Sequence, residues 1–209
     1  MSSILSEAVR VELVQLGSAT LHEACGASAA VDPAIRPAWP GSIVCGPALT
    51  VRVAAGDNLA LHHAVAAPAP GRVLVVDAGA GQHGFWGEVL AVAALQVGVS
   101  GIVIDGGVRD TDRLAALGFG AFSRWVALHG TTKHDRGEIG APVNIGGRTV
   151  HDGDIVVGDA DGIAIIAAKR QHEVLMLARA REAKEREILA RIRDGATTVA
   201  LYDLDDLDK

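Results

Sequence analysis

Two short apolar runs, each closed by an aspartate, constrain this chain more than any other feature. Arg72-Val-Leu-Val-Val-Asp77 and Ile102-Val-Ile-Asp105 are unbroken by polar residues. Runs of this kind suit strands buried on both faces, as in a parallel sheet. Between them, residues 86–97 place Leu90, Val92, Ala93, Ala94 and Val97 around a helix, and Gly98 and Gly101 stop it. A second short helix is expected from about Asp110 to Leu117. Strand, helix, strand and helix in this order predict a right-handed crossover. The Gly-rich residues 78–84 read as the loop joining the first strand to its helix.

The flanks are built differently. Residues 4–16 alternate at helical spacing, and Ser18 can cap a second short helix running to Cys25. Residues 31–41 hold Pro33, Pro37, Pro40 and Gly41 and read as a loop. Residues 43–55 are strand-like, with Pro47 marking a break or an edge. Gly56-Asp57-Asn58 forms a turn that caps a helix to about Ala67. Short strands are expected at 119–125, 142–145, 148–150, 154–158 and 162–167. Residues 169–193 read as one long helix, and 194–209, with Asp203, Asp205, Asp206 and Asp208, as an exposed acidic tail. The expectation is a single α/β domain over 1–209 with a mixed sheet.

Composition narrows the function. With 49% hydrophobic residues in 209, the chain can build a full core, but only 3% are aromatic. It can hardly form the stacking platform of a single-strand binder. A net charge of −6 argues against a nucleic-acid partner. Cys25 and Cys45 have neither disulfide-scaffold nor zinc spacing. No run approaches the ~18 apolar residues of a membrane span, so no membrane partner and a cytoplasmic location are expected.

Gly79-Ala-Gly81-Gln-His-Gly84 is a formal GxGxxG after a strand and before a helix, with Asp105 at the end of the next strand. Against a nucleotide-dependent oxidoreductase, Asp77 and Glu88 would repel a pyrophosphate, and no second set of strand–helix units follows. The same geometry suits a smaller anion. Gly87-Glu88-Val89-Leu90 opens the crossover helix, whose free N–H groups attract negative charge. Arg109-Asp110 follows the neighbouring strand, so both segments leave the carboxyl ends of adjacent parallel strands, where such sheets place ligands. Arg109 offers a planar fork for a carboxylate, and Asp110 a hard oxygen for Mg²⁺ or Mn²⁺. Read structurally instead, Asp110 is a helix cap, Arg109 a solvated loop residue and Glu88 a first-turn acid.

The pair Gly87-Glu88-Val89-Leu90 and Gly106-Gly107-Val108-Arg109-Asp110 resembles the signature of the class II pyruvate aldolases acting on 4-hydroxy-4-methyl-2-oxoglutarate and 4-carboxy-4-hydroxy-2-oxoadipate. The same family includes the RraA-like proteins, the regulators of ribonuclease E activity. Gly56-Asp57-Asn58, Gly130-Thr-Thr-Lys133, Pro142-Val143 and Gly158-Asp159-Ala-Asp161-Gly162 extend the resemblance over most of the chain. It implies a β/β/α swivelling-domain-like fold. It further implies that Arg109 and the amides of Val89 and Leu90, with Gly87 giving backbone access, hold a pyruvyl carboxylate. Asp110 would be the direct ligand of a divalent cation, and Glu88 would orient a water that relays a proton. A glutamate from a neighbouring subunit, best matched by Glu185, would complete the site in a homotrimer or a hexamer built from trimers. The implied activity is retro-aldol cleavage of a small 2-oxo acid to pyruvate, with oxaloacetate decarboxylation as a side reaction. The alternative is a non-catalytic, protein-binding regulator of a ribonuclease. Arg113 and Ala200 stand where some members carry acids. His62 and His63, ~100° apart on a helix, read as packing or surface residues, the alternative being that one of them faces the crevice. His83 could approach the substrate, and Lys133 and His134 read as solvated.

Overall fold

A computed structural model describes residues 5–26 and 29–204. Its centre is the predicted crossover. β1 (Arg36–Pro37), β2 (Val44–Arg52), β3 (Val73–Trp86), β4 (Gly101–Val108) and β5 (Gly120–Val126) form most of one sheet. The order continues past β2 through β9 (Ile155–Gly158) and β10 (Ile163–Ile166), giving β1-β5-β4-β3-β2-β9-β10, with the two-residue β6 (Glu138–Ile139) also on β2. β2 to β5 run parallel, whereas β1, β6, β9 and β10 add antiparallel pairings. The mixed sheet matches the sequence reading.

The strands are buried on both faces because successive side chains enter different cores. Leu74, Val76, Ile102 and Ile104 face the layer of α2 (Leu59–Ala64), α3 (Glu88–Gln96) and α4 (Thr111–Ala116), meeting Leu61, Leu90, Ala91, Ala94 and Leu114. Val73, Val75 and Val103 face the other way, towards the hairpin of β7 (Val143–Ile145) and β8 (Arg148–Val150). A third cluster joins β9 and β10 to α1 (Glu7–Cys25) and the start of α5 (Gln171–Arg193). Gly17 breaks α1 with a φ of 77°, so the two predicted N-terminal helices are there, joined at a kink. The Asp159 carboxylate seals the kink by accepting from the Ser18 N–H and hydroxyl, each at 2.6 Å.

Pro47 is neither a break nor an outer edge. β2 pairs with β9 over Val44–Pro47 and with β3 over Ala48–Arg52, so the proline sits where the strand changes partner. Residues 31–41 contain the short β1. The helix after Asn58 ends at Ala64 rather than Ala67, and residues 168–170 form a 3₁₀ turn before α5. Within the expected tail, α6 (Thr198–Leu201) is a helical turn capped by Thr197; Asp205, Asp206 and Asp208 lie outside the described residues.

The larger correction concerns residues 78–84, which are not a loop but the continuation of β3. Between the pairs Asp77↔Asp105 and Trp86↔Val108, β3 advances nine positions (77 to 86) where β4 advances three (105 to 108). The surplus is taken up in successive bulges. Gly79 and Ala80 at φ 58° and 56° supply the left-handed backbone such an irregularity needs.

Asp105 is occupied structurally. Its carboxylate meets the Arg124 guanidinium at 2.6 Å, Arg124 reaches Asp32 at 2.9 Å, and the Gly146 N–H donates to Asp105 at 2.8 Å. This ties the β7–β8 turn to the central sheet and removes the acid a dinucleotide ribose would need. Removing one partner of such a shielded pair leaves a charge uncompensated. Asp105→Ala is therefore expected to lower unfolding free energy by roughly 3 kcal/mol in urea titration. A loss below about 0.5 kcal/mol, the size of an exposed pair, would show that the cluster fastens nothing.

Candidate active site

The register at the end of β3 and β4 builds one wall of the site. Trp86 lies opposite Val108, and the Arg109 N–H donates to the Trp86 carbonyl at 2.9 Å, so Gly87 and Arg109 leave the sheet side by side. Asp110 follows at φ 56° and ψ 38°, a left-handed conformation rare outside glycine, asparagine and aspartate. That turn carries its Oδ2 to the Glu88 N–H, 3.1 Å away at the start of α3. The residue is a cap, as one sequence reading had it, but of α3 as well as the residue preceding α4. Gly87 is required for this approach, because a Cβ there would collide with the Asp110 carboxylate. A Cβ on Gly84 would come within 2.7 Å of the Ala127 carbonyl and 3.0 Å of the Arg109 side chain.

A cleft of about 320 Å³ opens here. Gly87, Val89, Leu90, Arg109 and Asp110 line one side. Val89 and Leu90 are the next residues of the first helical turn, whose N–H groups have no intrahelical acceptor and face the same positive helix end. The Arg109 Nε is 3.8 Å from the Asp110 carboxylate, and both side chains are over one-third exposed. Asp110 is thus anchored through one oxygen, and among the described residues no hydrogen bond engages the other. Among the described residues no three His, Cys, Asp or Glu side chains cluster as a cation cage. The donor set fits an ion such as Mg²⁺, which keeps several waters and takes one or two carboxylates.

The opposite wall combines α2 with the 130–134 loop. Asn58 and His62 line the cleft from α2, and Gly130, Thr131 and Lys133 from the loop. One buried carboxylate joins them. Asp57 accepts from the Leu59 N–H at 2.8 Å, the Thr132 hydroxyl at 2.7 Å and the His134 N–H at 2.6 Å. The backbones of Gly56, Asn58 and Thr132 also bond to one another. Asn58 in turn donates its side-chain amide to the Phe85 carbonyl at 2.9 Å. Burial pushes the Asp57 carboxyl up, but these hydrogen bonds outweigh it and hold it down at about 2.

The structure therefore brings Gly87, Val89, Leu90, Arg109 and Asp110 together; Glu88, between Gly87 and Val89, is exposed and is not itself a lining residue. It adds His62, read from sequence as a packing or surface residue, and Lys133, which is exposed as expected and also lines the cleft. Glu185 does not line this cleft within one chain. It sits on α5, 3.0 Å from Arg181. His83 is not a lining residue either; its ring packs on Phe85 and His129 at centroid distances of 5.6 and 6.2 Å and covers Gly56. The signal for Lys133 was present in Gly130-Thr-Thr-Lys133, but nothing local says that Asp57 pulls this segment onto α2.

Residues 5–165 match the model of the RraA-like family, described as Aldolase/RraA. The chain belongs to the RraA-like family. A Halalkalibacterium halodurans protein named "Putative 4-hydroxy-4-methyl-2-oxoglutarate aldolase" is 35% identical over 169 residues, 80% of each chain. An uncharacterized Pseudomonas syringae protein of known structure superposes with a TM-score of 0.84 at 28% identity, covering 94% of this chain and 93% of that one. Streptomyces coelicolor RraAS2, described as an unusual member of the RNase ES inhibitor RraA protein family, gives 0.76 at 26% identity, with 90% and 98% covered. This RraA-like chain thus resembles both proteins named as aldolases and proteins named as ribonuclease inhibitors.

Because Asp57 is held below its unfolded value of about 3.9, its contribution is complete above that pH. It is lost as pH falls from about 4 towards 2. Asp57→Asn is expected to weaken the protein at pH 6 and to flatten the fall of the urea midpoint over that window. A mutant with the wild-type acid profile would mean that another carboxylate governs it.

Proposed function

We propose that this protein is a divalent-metal-dependent lyase that cleaves 4-hydroxy-2-oxo acids of the 4-hydroxy-4-methyl-2-oxoglutarate type to pyruvate, and that it decarboxylates oxaloacetate in the same cleft. One observation carries the reading. A guanidinium, the free amides of a helix start and a carboxylate with an uncommitted oxygen share one cleft, at the carboxyl ends of adjacent parallel strands. The names of the aldolase-like relatives agree with it.

Arg109 and the Val89 and Leu90 amides bind the carboxylate of the pyruvyl unit and fix its orientation. Asp110, whose second carboxylate oxygen is uncommitted, would hold Mg²⁺ or Mn²⁺. When bound, that ion supplies positive charge that stabilises the enolate left on cleavage. Glu88 positions a water that takes the 4-hydroxyl proton as the C3–C4 bond breaks, and the proton returns to C3 to give pyruvate. Lys133, on the opposite wall, faces the part of the substrate that departs.

The working assembly is a homotrimer or a hexamer built from two trimers, with Glu185 of a neighbour reaching the cleft. Support comes from α5. Val174, Leu175 and Ala178 are buried, whereas Leu189 remains 49% and Ile192 36% exposed. The second reading, a ribonuclease-binding regulator without catalysis, is favoured by the description of the Streptomyces relative.

Pyruvate release from 4-hydroxy-4-methyl-2-oxoglutarate and from oxaloacetate, with and without Mg²⁺, separates the two. Mg²⁺-dependent release is expected, with Asp110→Ala inactive. Absence of pyruvate from both substrates, together with tight binding to a ribonuclease, would favour the regulator. Arg109→Lys keeps the charge but loses the fork, which should cost roughly 2–4 kcal/mol, about 30- to 1,000-fold in kcat/KM. Unchanged efficiency would remove Arg109 from the carboxylate site. Mixed oligomers of Asp110→Ala and Glu185→Ala subunits should regain part of the activity if the site is shared. Verified mixed oligomers that stay inactive would refute sharing.

A further inference from the structure

A second hollow is as large as the cleft. It encloses about 350 Å³ between the second half of α1, residues 30–35 and the turn from β9 to β10, and it shares no lining residue with the cleft. That turn sits beside the amino end of β2, where Gly158 pairs with Val44, whereas the cleft opens at the carboxyl ends of β3 and β4. The floor is apolar, with Val31, Ile35 and Ile163 all buried. The polar lining is Ser18, His22, Asp32 and Asp161. An apolar floor with a few convergent polar groups is the pattern of a small-molecule site. We propose that this hollow binds an organic cation, a primary ammonium on a compact apolar body, with the ammonium at Asp161 and His22 and the body on the floor. The site does not depend on the lyase reading.

The bonded groups around the hollow fix the sign of the charge it takes. Asp32 accepts from the Ala34 N–H and from Arg124, both at 2.9 Å, and Arg124 is shared with Asp105. Asp159, under the turn, accepts from the Ser18 N–H and hydroxyl and from the Asp161 N–H, so backbone and hydroxyl dipoles hold its charge. Arg36 spends its donors on the carbonyls of Ala160 and Asp161. Four carboxylates (32, 105, 159 and 161) thus meet two guanidiniums (36 and 124), and the surplus repels anions and draws cations. Among the described residues the exposed Asp161 carboxylate accepts no hydrogen bond, and the buried His22 Nδ1 has no partner. An ammonium carries three donors for such acceptors. A bare metal ion fits less well: no three His, Cys, Asp or Glu side chains of the described residues cluster around one point, and a hydrated ion gains nothing from Val31, Ile35 and Ile163.

The test titrates the full chain at neutral pH with three probes of similar shape and different charge: 2-phenylethylammonium, 2-phenylethanol and phenylacetate. The Ile35 and Ile163 Cδ1 methyl resonances report on the hollow, and the Val89 and Leu90 amides report on the cleft. The ammonium is expected to shift the two methyls saturably and to bind at least about fivefold more tightly than the alcohol, the upper end of an exposed ion pair. Phenylacetate should leave the methyls in place. Asp161→Asn, which removes a charge but no hydrogen bond of the fold, should bring the ammonium down to the affinity of the alcohol and leave the alcohol unchanged. Methyls that ignore the ammonium, equal affinities for the ammonium and the alcohol, or an Asp161→Asn protein that binds the ammonium like wild type would each overturn the proposal. So would an ammonium that moves Val89 and Leu90 in place of the two methyls.

Discussion

The pairing of β3 with β4 governs this molecule. Up to Asp77 and Asp105 it is an ordinary parallel ladder; beyond them β3 is bulged three times, and the register that results sets Trp86 against Val108. That single match decides that the start of α3 and the Arg109-Asp110 turn emerge as neighbours. The left-handed backbone of Asp110, its bond to the Glu88 N–H and the need for glycine at 87 all follow from it. A slip of one residue would turn these groups to opposite faces of the sheet.

The second wall obeys a different rule. No strand register sets it; a buried carboxylate does. Asp57 gathers donors from α2 and from a loop some 75 residues further along, and the bonds to Thr132 and His134 close only when both segments are in place. The cleft thus has one part set by strand register and another fastened by one buried side chain. This division suits a site that must fix the reacting end of its ligand closely and accept some variety at the departing end.

Legibility in the sequence follows the same division. The buried runs at 72–77 and 102–105, the crossover helix and the Gly87/Arg109-Asp110 pair were readable because strand burial and helix ends leave local marks. The bulged stretch 78–84 was misread, since glycines that permit an irregular strand look like glycines that permit a loop. Lys133 and His62 were set aside for a related reason. Their place depends on Asp57 bonding to Thr132 and His134, a long-range contact that periodicity does not record. Asp105 invited a nucleotide reading that the flanking acids Asp77 and Glu88 already weakened, and its bonds to Arg124 and Gly146 occupy the carboxylate such a reading needs.

The packing of α1 on α5 carries a consequence for how the chain is made. Arg179 and Glu12 form an ion pair across 167 residues, and Leu13, Leu16 and Leu21 share their cluster with Val174, Leu175 and Ala178. During synthesis α1 leaves the ribosome long before the helix that covers it, so its apolar face waits through the translation of the entire sheet. Contacts of such sequence separation form late, and the interval is one in which the nascent chain is open to chaperones and to self-association. Truncation before α5 would prolong that exposure indefinitely, although the cleft itself lies elsewhere.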